Sequence, residues 1–184
     1  MFDILVRVFD PEILLKKGQE AEGRGHLNEA RDLYAQAVAE ARWVEGATSL
    51  SGALRTFGGI ERRLLHLDTS LQAYAEAASV SHRQGDLAGE VEALLASGEI
   101  LAGRKQIPEA EKILNHALEL SQAAQDPQPL PQARALHGLA LLSEVSNPQE
   151  TLLLWQAAAT MYEAAGSEEK VTECKRYVAF LLGI

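Results

Sequence analysis

Glycine recurs every forty residues in this chain, at Gly18, Gly58, Gly98 and Gly138, and in each copy an alanine follows nineteen residues later, at Ala37, Ala77, Ala117 and Ala157. With average glycine usage of about 7%, four glycines in one register arise by chance roughly 2 times in 100,000. A period of this length marks a stacked array of supersecondary units. The copy over residues 93–122 is the clearest, and its apolar spacing predicts a helix, a short turn and a second helix. Glycine inside a helix costs about 1 kcal/mol. Its recurrence therefore predicts a helix–helix contact where only a small residue fits, with Tyr34, Tyr74, Leu114 and Leu154 filling the adjacent space.

Composition agrees with an all-α chain. Alanine and leucine dominate a hydrophobic fraction of 47%, aromatic residues make up 5%, and these two aliphatic residues are the strongest helix formers. At 184 residues the chain can bury a sizeable core. The net charge of −9 argues against non-specific nucleic-acid binding, which needs a basic surface, and against docking on anionic lipid. The single cysteine, Cys174, rules out an internal disulfide and suits a reducing, cytoplasmic setting. The opening MFDILVRVFD is apolar, interrupted by Asp3 and Arg7, and too short to span a membrane. It is expected to cover the first repeat or to form an adhesive arm for a second copy.

Start and stop signals divide the repeats into residues 11–46, 47–86, 87–126 and 127–166, with a capping helix over 167–184. Asp10-Pro11-Glu12 reads as a helix start. Asn28 and Asp68 are expected to cap the second helices of the first two units, Ile107-Pro108 and Asn147-Pro148 to open those of the last two, and Gly85-Asp86 and Gly166-Ser167 to mark stops. The three prolines of Pro127-Gln128-Pro129-Leu130-Pro131 predict an extended turn. The last segment carries an apolar stripe at Val171, Cys174, Val178 and Leu181. It is the first helix of a fifth unit, suited to cover the open end of a stack.

Gly18, Leu27, Ala30, Tyr34 and Ala37 resemble the tetratricopeptide repeat signature, and Gly58, Leu67, Ser70, Tyr74, Ala77 and Gly98, Ile107, Ala110, Leu114, Ala117 match in the same register. The family's repeat is thirty-four residues, so this forty-residue form resembles its long-helix variety. The glycine-to-alanine interval is unchanged, which places the surplus after the second alanine. The resemblance implies a single domain: a right-handed superhelical α-solenoid of four helical hairpins plus a capping helix. It also implies a non-catalytic protein–protein interaction module, an adaptor or scaffold whose concave groove of first helices holds a peptide or partner helix. Carried over, the groove positions include Gln19, Glu22, Arg55, Arg62, Arg63, Leu95, Glu99, Leu139 and Leu142. The clamp by which some relatives grip a C-terminal carboxylate is missing, because Leu15, Gln19 and Glu92 stand in three of its places.

Among these residues Arg55, Arg62 and Arg63 carry the sharpest chemistry. Arg55 and Arg62 are seven apart, on one helix face, and the planar guanidinium suits carboxylates. They point to an acidic partner, or else to pairing with Glu22, Glu61 or Glu99. His26 and His66 share a turn position, but no metal-binding spacing, catalytic motif or cofactor fingerprint occurs, so no metal and no cofactor is expected. Trp43 is expected in a core. The run Leu152-Leu153-Leu154-Trp155 exceeds what one helix can bury, so it must meet the terminal helix or another copy of the chain. Homo-oligomeric assembly through apolar ends is the alternative function, and a small-ligand sensor a weaker one.

Overall fold

The computed structural model describes residues 10–43, 49–143 and 147–184. The expectations for the N-terminal stretch before Asp10 lie outside the described residues. Within them are nine helices and no strand: α1 (Pro11–Gly23), α2 (Leu27–Ala41), α3 (Ser49–Arg63), α4 (Leu67–Gln84), α5 (Leu87–Gly103), α6 (Ile107–Ala123), α7 (Pro129–Ser143), α8 (Pro148–Ala164) and α9 (Glu168–Leu182). The helices pack as successive hairpins, α1 with α2, α3 with α4, α5 with α6 and α7 with α8. Two compact units result: residues 1–84 hold the first two hairpins, and residues 85–184 hold the last two and α9.

The glycine column makes the predicted close contacts. A Cβ added at Gly58 would stand 3.1 Å from the Tyr74 ring, and one at Gly18 would overlap the Tyr34 ring. In the second unit one residue serves two glycines: a Cβ at Gly98 would meet Leu114 at 2.6 Å and one at Gly138 would meet it at 2.7 Å. Tyr34, Ala37, Ala77, Leu114 and Ala117 are accordingly buried. In the second and third hairpins the surplus lies in the second helices, since α4 continues from Ala77 to Gln84 and α6 from Ala117 to Ala123, whereas α2 ends at Ala41.

The fourth hairpin departs from the register. α7 ends at Ser143, in frame with Gly103, but α8 starts at Pro148, one residue later than the frame from Ile107 requires. Its inward face moves with it. Thr151, Trp155 and Ala158 are fully buried, while Glu150 is exposed and Leu154 and Ala157 are only half-buried. The small–aromatic–small pattern thus survives one position late. Ala157 and Leu154 are not the counterparts that the count of forty suggests.

Turns and caps follow local chemistry. Asp10 accepts a hydrogen bond from Glu12 N at 2.9 Å, and Asp86 one from Gly89 N at 2.9 Å. Asn28 and Asp68 do not stand at N-cap positions. They lie inside α2 and α4, which begin one residue earlier at Leu27 and Leu67. Instead, the preceding helices end in a tight reversal: Gly25 N–H donates to Glu22 O at 2.9 Å and His26 N–H to Ala21 O at 2.9 Å. The same pattern recurs at Leu65-His66 and at Lys105-Gln106. It needs a left-handed residue, with φ of 80° at Gly25, 64° at Leu65 and 59° at Lys105. The proline-rich link is not wholly extended, because Pro129 and Pro131 fall in the first turn of α7, where their missing N–H groups are tolerated. Trp43 is 85% exposed rather than in a core.

Two substitutions test these contacts by denaturant unfolding. Gly98→Ala improves helix propensity yet forces a methyl into Leu114, so stability falls by about 1–2 kcal/mol. Leu65→Gly relieves the left-handed backbone at a side chain already 79% exposed, and stability rises by about 0.5–1 kcal/mol.

Candidate functional site

Four residues before its glycine, each of the first three first helices carries a leucine, half-buried in α5 as Leu94. Leu14 and Leu54 fill the position in the first unit and are nearly fully buried. In α7 the position is Arg134. A cation there needs partners, and α5 supplies them from two carboxylates two turns apart. Arg134 Nη2 donates to Glu99 Oε1 at 2.6 Å, Nε donates to the same oxygen at 3.0 Å, and Nη1 donates to Glu92 Oε2 at 2.8 Å. Burial opposes the charge on Arg134, but Glu99 and Glu92 outweigh it and hold the guanidinium above its ordinary value.

One turn further along α7, His137 is buried. Its Nδ1 lies 3.3 Å from the Tyr162 hydroxyl and its Nε2 3.9 Å from Glu173 Oε1. Its ring centroid is 5.0 Å from that of Trp155. Burial holds the imidazole below its usual value, partly offset by Glu173. Burial also pushes the Tyr162 hydroxyl up to about 12 and the Cys174 thiol up to about 11, so both stay protonated and Cys174 is an inert core residue. Behind His137, Trp155 stacks on Tyr177 of α9 at 4.3 Å with the rings 1° from parallel. The long apolar run of α8 therefore meets the terminal helix. Trp155 Nε1 finds no hydrogen-bond partner among the described residues.

These side chains border a groove of about 580 Å³ between α5, α7, the end of α8 and the start of α9. Glu99, Arg134, His137, Tyr162 and Lys170 supply its polar wall, and Leu130, Leu141 and Leu142 its apolar one. Lys170 is held by Glu173 at 2.7 Å. Paired charges and apolar surface in one concavity suit recognition of an extended or helical segment. Among the described residues there is no group of three His, Cys, Asp or Glu side chains that could hold a metal. His26 and His66 instead face Glu29 at 3.1 Å and Glu61 at 2.7 Å.

Of the residues expected to face a groove, Glu99 and Leu142 line this one. Leu95 does not face a groove, because α5 packs against both α6 and α7 and buries it completely; Leu139 is 7% exposed. In the first unit Gln19 and Arg62 are exposed and Arg55 is half-buried. Glu22 accepts a hydrogen bond from the Tyr34 hydroxyl at 2.7 Å and pairs with Arg63. Burial and Glu22 raise the Tyr34 hydroxyl above its ordinary value. Sequence reasoning missed Arg134, His137, Tyr162 and Lys170. A signal existed for the first, since arginine breaks a column of leucines at Leu14, Leu54 and Leu94.

No family model matches the chain, and no curated protein matches it in sequence. Solved structures do share its fold. BtubC (BKLC) from P. vanneervenii superposes with a TM-score of 0.68 at 16% identity, over 90% of this chain and 77% of that one. Rap protein, solved in complex with Competence and Sporulation Factor, gives 0.67 at 13% identity, over 94% of this chain and 54% of that one. A putative kinesin light chain from Podosopora anserina with nearly identical TPR-like repeats gives 0.67 at 13% identity, over 95% and 97%. The chain therefore has the all-α, tetratricopeptide-like solenoid fold that the family resemblance implied. No helix among the described residues is long and apolar enough to cross a membrane.

The buried imidazole gives the second unit a pH dependence. Its folded value lies below its unfolded one, so its stabilisation is complete above the unfolded value and is lost as pH falls toward the folded value. Wild type melts at progressively lower temperature as pH drops below about 6.5. His137→Gln, neutral throughout, shows a smaller fall in melting temperature over the same range.

Proposed function

We propose that this chain is a non-catalytic interaction module, in which four hairpins and the α9 cap act as one repeat domain that seats a peptide or partner helix. The groove of about 580 Å³ bordered by α5, α7 and α9 carries this reading. Leu130 and Leu141 are each 44% exposed at its edge, and a partner side chain laid between them removes apolar surface from water at about 25 cal/mol per Å². Arg134 is already neutralised by Glu92 and Glu99, so the polar wall fixes orientation rather than supplying net charge. The fold shared with Rap protein, itself solved with a bound factor, supports the same class of function. In the first unit, taken by itself, Arg55 and Arg62 share one face of α3 and would meet acidic side chains of a partner. The lone cysteine, buried and reduced, suits the cytoplasm.

Affinity capture from native extract with immobilised wild type and Leu141→Asp tests this reading. A partner retained by the wild type is depleted about tenfold or more on the variant, whose folding is unaffected because the side chain is already exposed. An acidic partner is also lost on Arg55→Glu/Arg62→Glu. Identical captures from wild type and Leu141→Asp would remove the groove from consideration.

A further inference from the structure

A second cavity, of about 450 Å³, opens in the second unit where the start of α5, the end of α6 and the start of α7 meet. Leu87, Val91, Leu130 and Pro131 form its apolar wall, and Glu92 and Asp126 stand on its polar side. Among the described residues no lysine, arginine or histidine lines it. Glu92 shares Arg134 with Glu99, so those three side chains keep one negative charge between them. Asp126 accepts from the Gln128 amide at 3.0 Å, a neutral donor that does not offset its charge. Two helix starts border the cavity, yet both are short of the N–H donors that anions use. Asp86 already accepts from Gly89 N in α5, and Pro129 and Pro131 have no N–H in the first turn of α7. The unit as a whole holds fourteen Asp and Glu against seven Lys and Arg. The cavity therefore combines an apolar wall with a negative field. It also adjoins the groove already described: Leu130 lines both, and Glu92 on its wall holds Arg134 on the groove's wall.

We propose that this cavity is an anchor subsite of that groove, given the groove's reading as the seat of a partner segment, and that it takes an apolar side chain carried next to a lysine or arginine. The apolar side chain, of leucine or isoleucine size, leaves water against Val91 and Pro131. The neighbouring ammonium or guanidinium meets Asp126 and Glu92, since a carboxylate has acceptor capacity beyond one bond. A long cationic side chain suits such a rim, because its methylenes lie on the apolar wall while its head stays in water. An acidic neighbour is rejected, as it would face carboxylates with no lining cation to meet. From here the partner chain continues past Leu130 to Arg134 and Leu141 in the groove. Two anchors on one segment strengthen each other, because the first holds the second at high local concentration.

Panning a random library of peptides about twelve residues long, with an extended reach of about 40 Å, on the immobilised full chain tests this. The selected peptides are expected to pair leucine, isoleucine or phenylalanine with an adjacent lysine or arginine. Ala88→Trp puts an indole at an exposed position on the cavity's edge, and Asp126→Lys reverses a charge there. Each weakens such a peptide about tenfold with the melting temperature unchanged. Leu141→Asp weakens it too, and wild-type affinity falls about fivefold as salt rises from about 50 to 500 mM. Peptides without the apolar–basic pair, or peptides lost on Leu141→Asp but held by Ala88→Trp and Asp126→Lys, would overturn the subsite and leave the groove standing. Peptides lost on Ala88→Trp and Asp126→Lys but indifferent to Leu141→Asp would keep the subsite and remove the groove. Recovery of no peptide would overturn both.

Discussion

Leu114 occupies space that two glycines leave open, Gly98 on α5 and Gly138 on α7, and much of the second unit is arranged around that contact. Because neither glycine projects a side chain, α6 comes close to both first helices. That approach sets α5 and α7 side by side, and only then can Glu92 and Glu99 reach Arg134. The first unit uses the same device with aromatic rings, Tyr34 over Gly18 and Tyr74 over Gly58. The Tyr34 hydroxyl there ends on Glu22, the partner of Arg63. In both units a steric absence on one helix positions a charge pair on another.

Much of the fold could be read from the sequence because the glycine positions are set by sterics, which a period exposes directly. The fourth hairpin was harder. A count of forty pairs Ala157 with Ala117 although the buried alanine is Ala158, since contacts and not chain length set the register, and one residue between α7 and α8 shifts a whole face. The misplaced caps at Asn28 and Asp68 have a similar origin. Capping chemistry at Asn28 and Asp68 suggests a start there, but the tight reversal at Gly25, Leu65 and Lys105 already satisfies the neighbouring carbonyls and lets each second helix begin sooner.

The candidate groove was only partly readable. Glu99 and Leu142 were reachable by analogy of position, but analogy also nominated Leu95, which burial removes from any surface. Arg134 is visible as a break in a leucine column, whereas its two carboxylate partners depend on how α5 and α7 approach each other. His137, Tyr162 and Lys170 belong to no repeated column, and what they share is proximity created by the turn from α8 into α9. A repeat analysis finds what the copies have in common, while the chemistry that distinguishes this chain lies where the copies differ.

The same divergence gives the molecule an internal reporter and a reference for it. Of its two tryptophans, Trp43 belongs to the first unit and is open to solvent, and Trp155 belongs to the second, fully enclosed and stacked face to face on Tyr177. An indole in water and an indole in a dry aromatic stack differ in emission energy and in access to a soluble quencher. Intrinsic fluorescence can therefore follow the melting of the second unit through Trp155, with Trp43 as a constant solvent-exposed reference and no label attached.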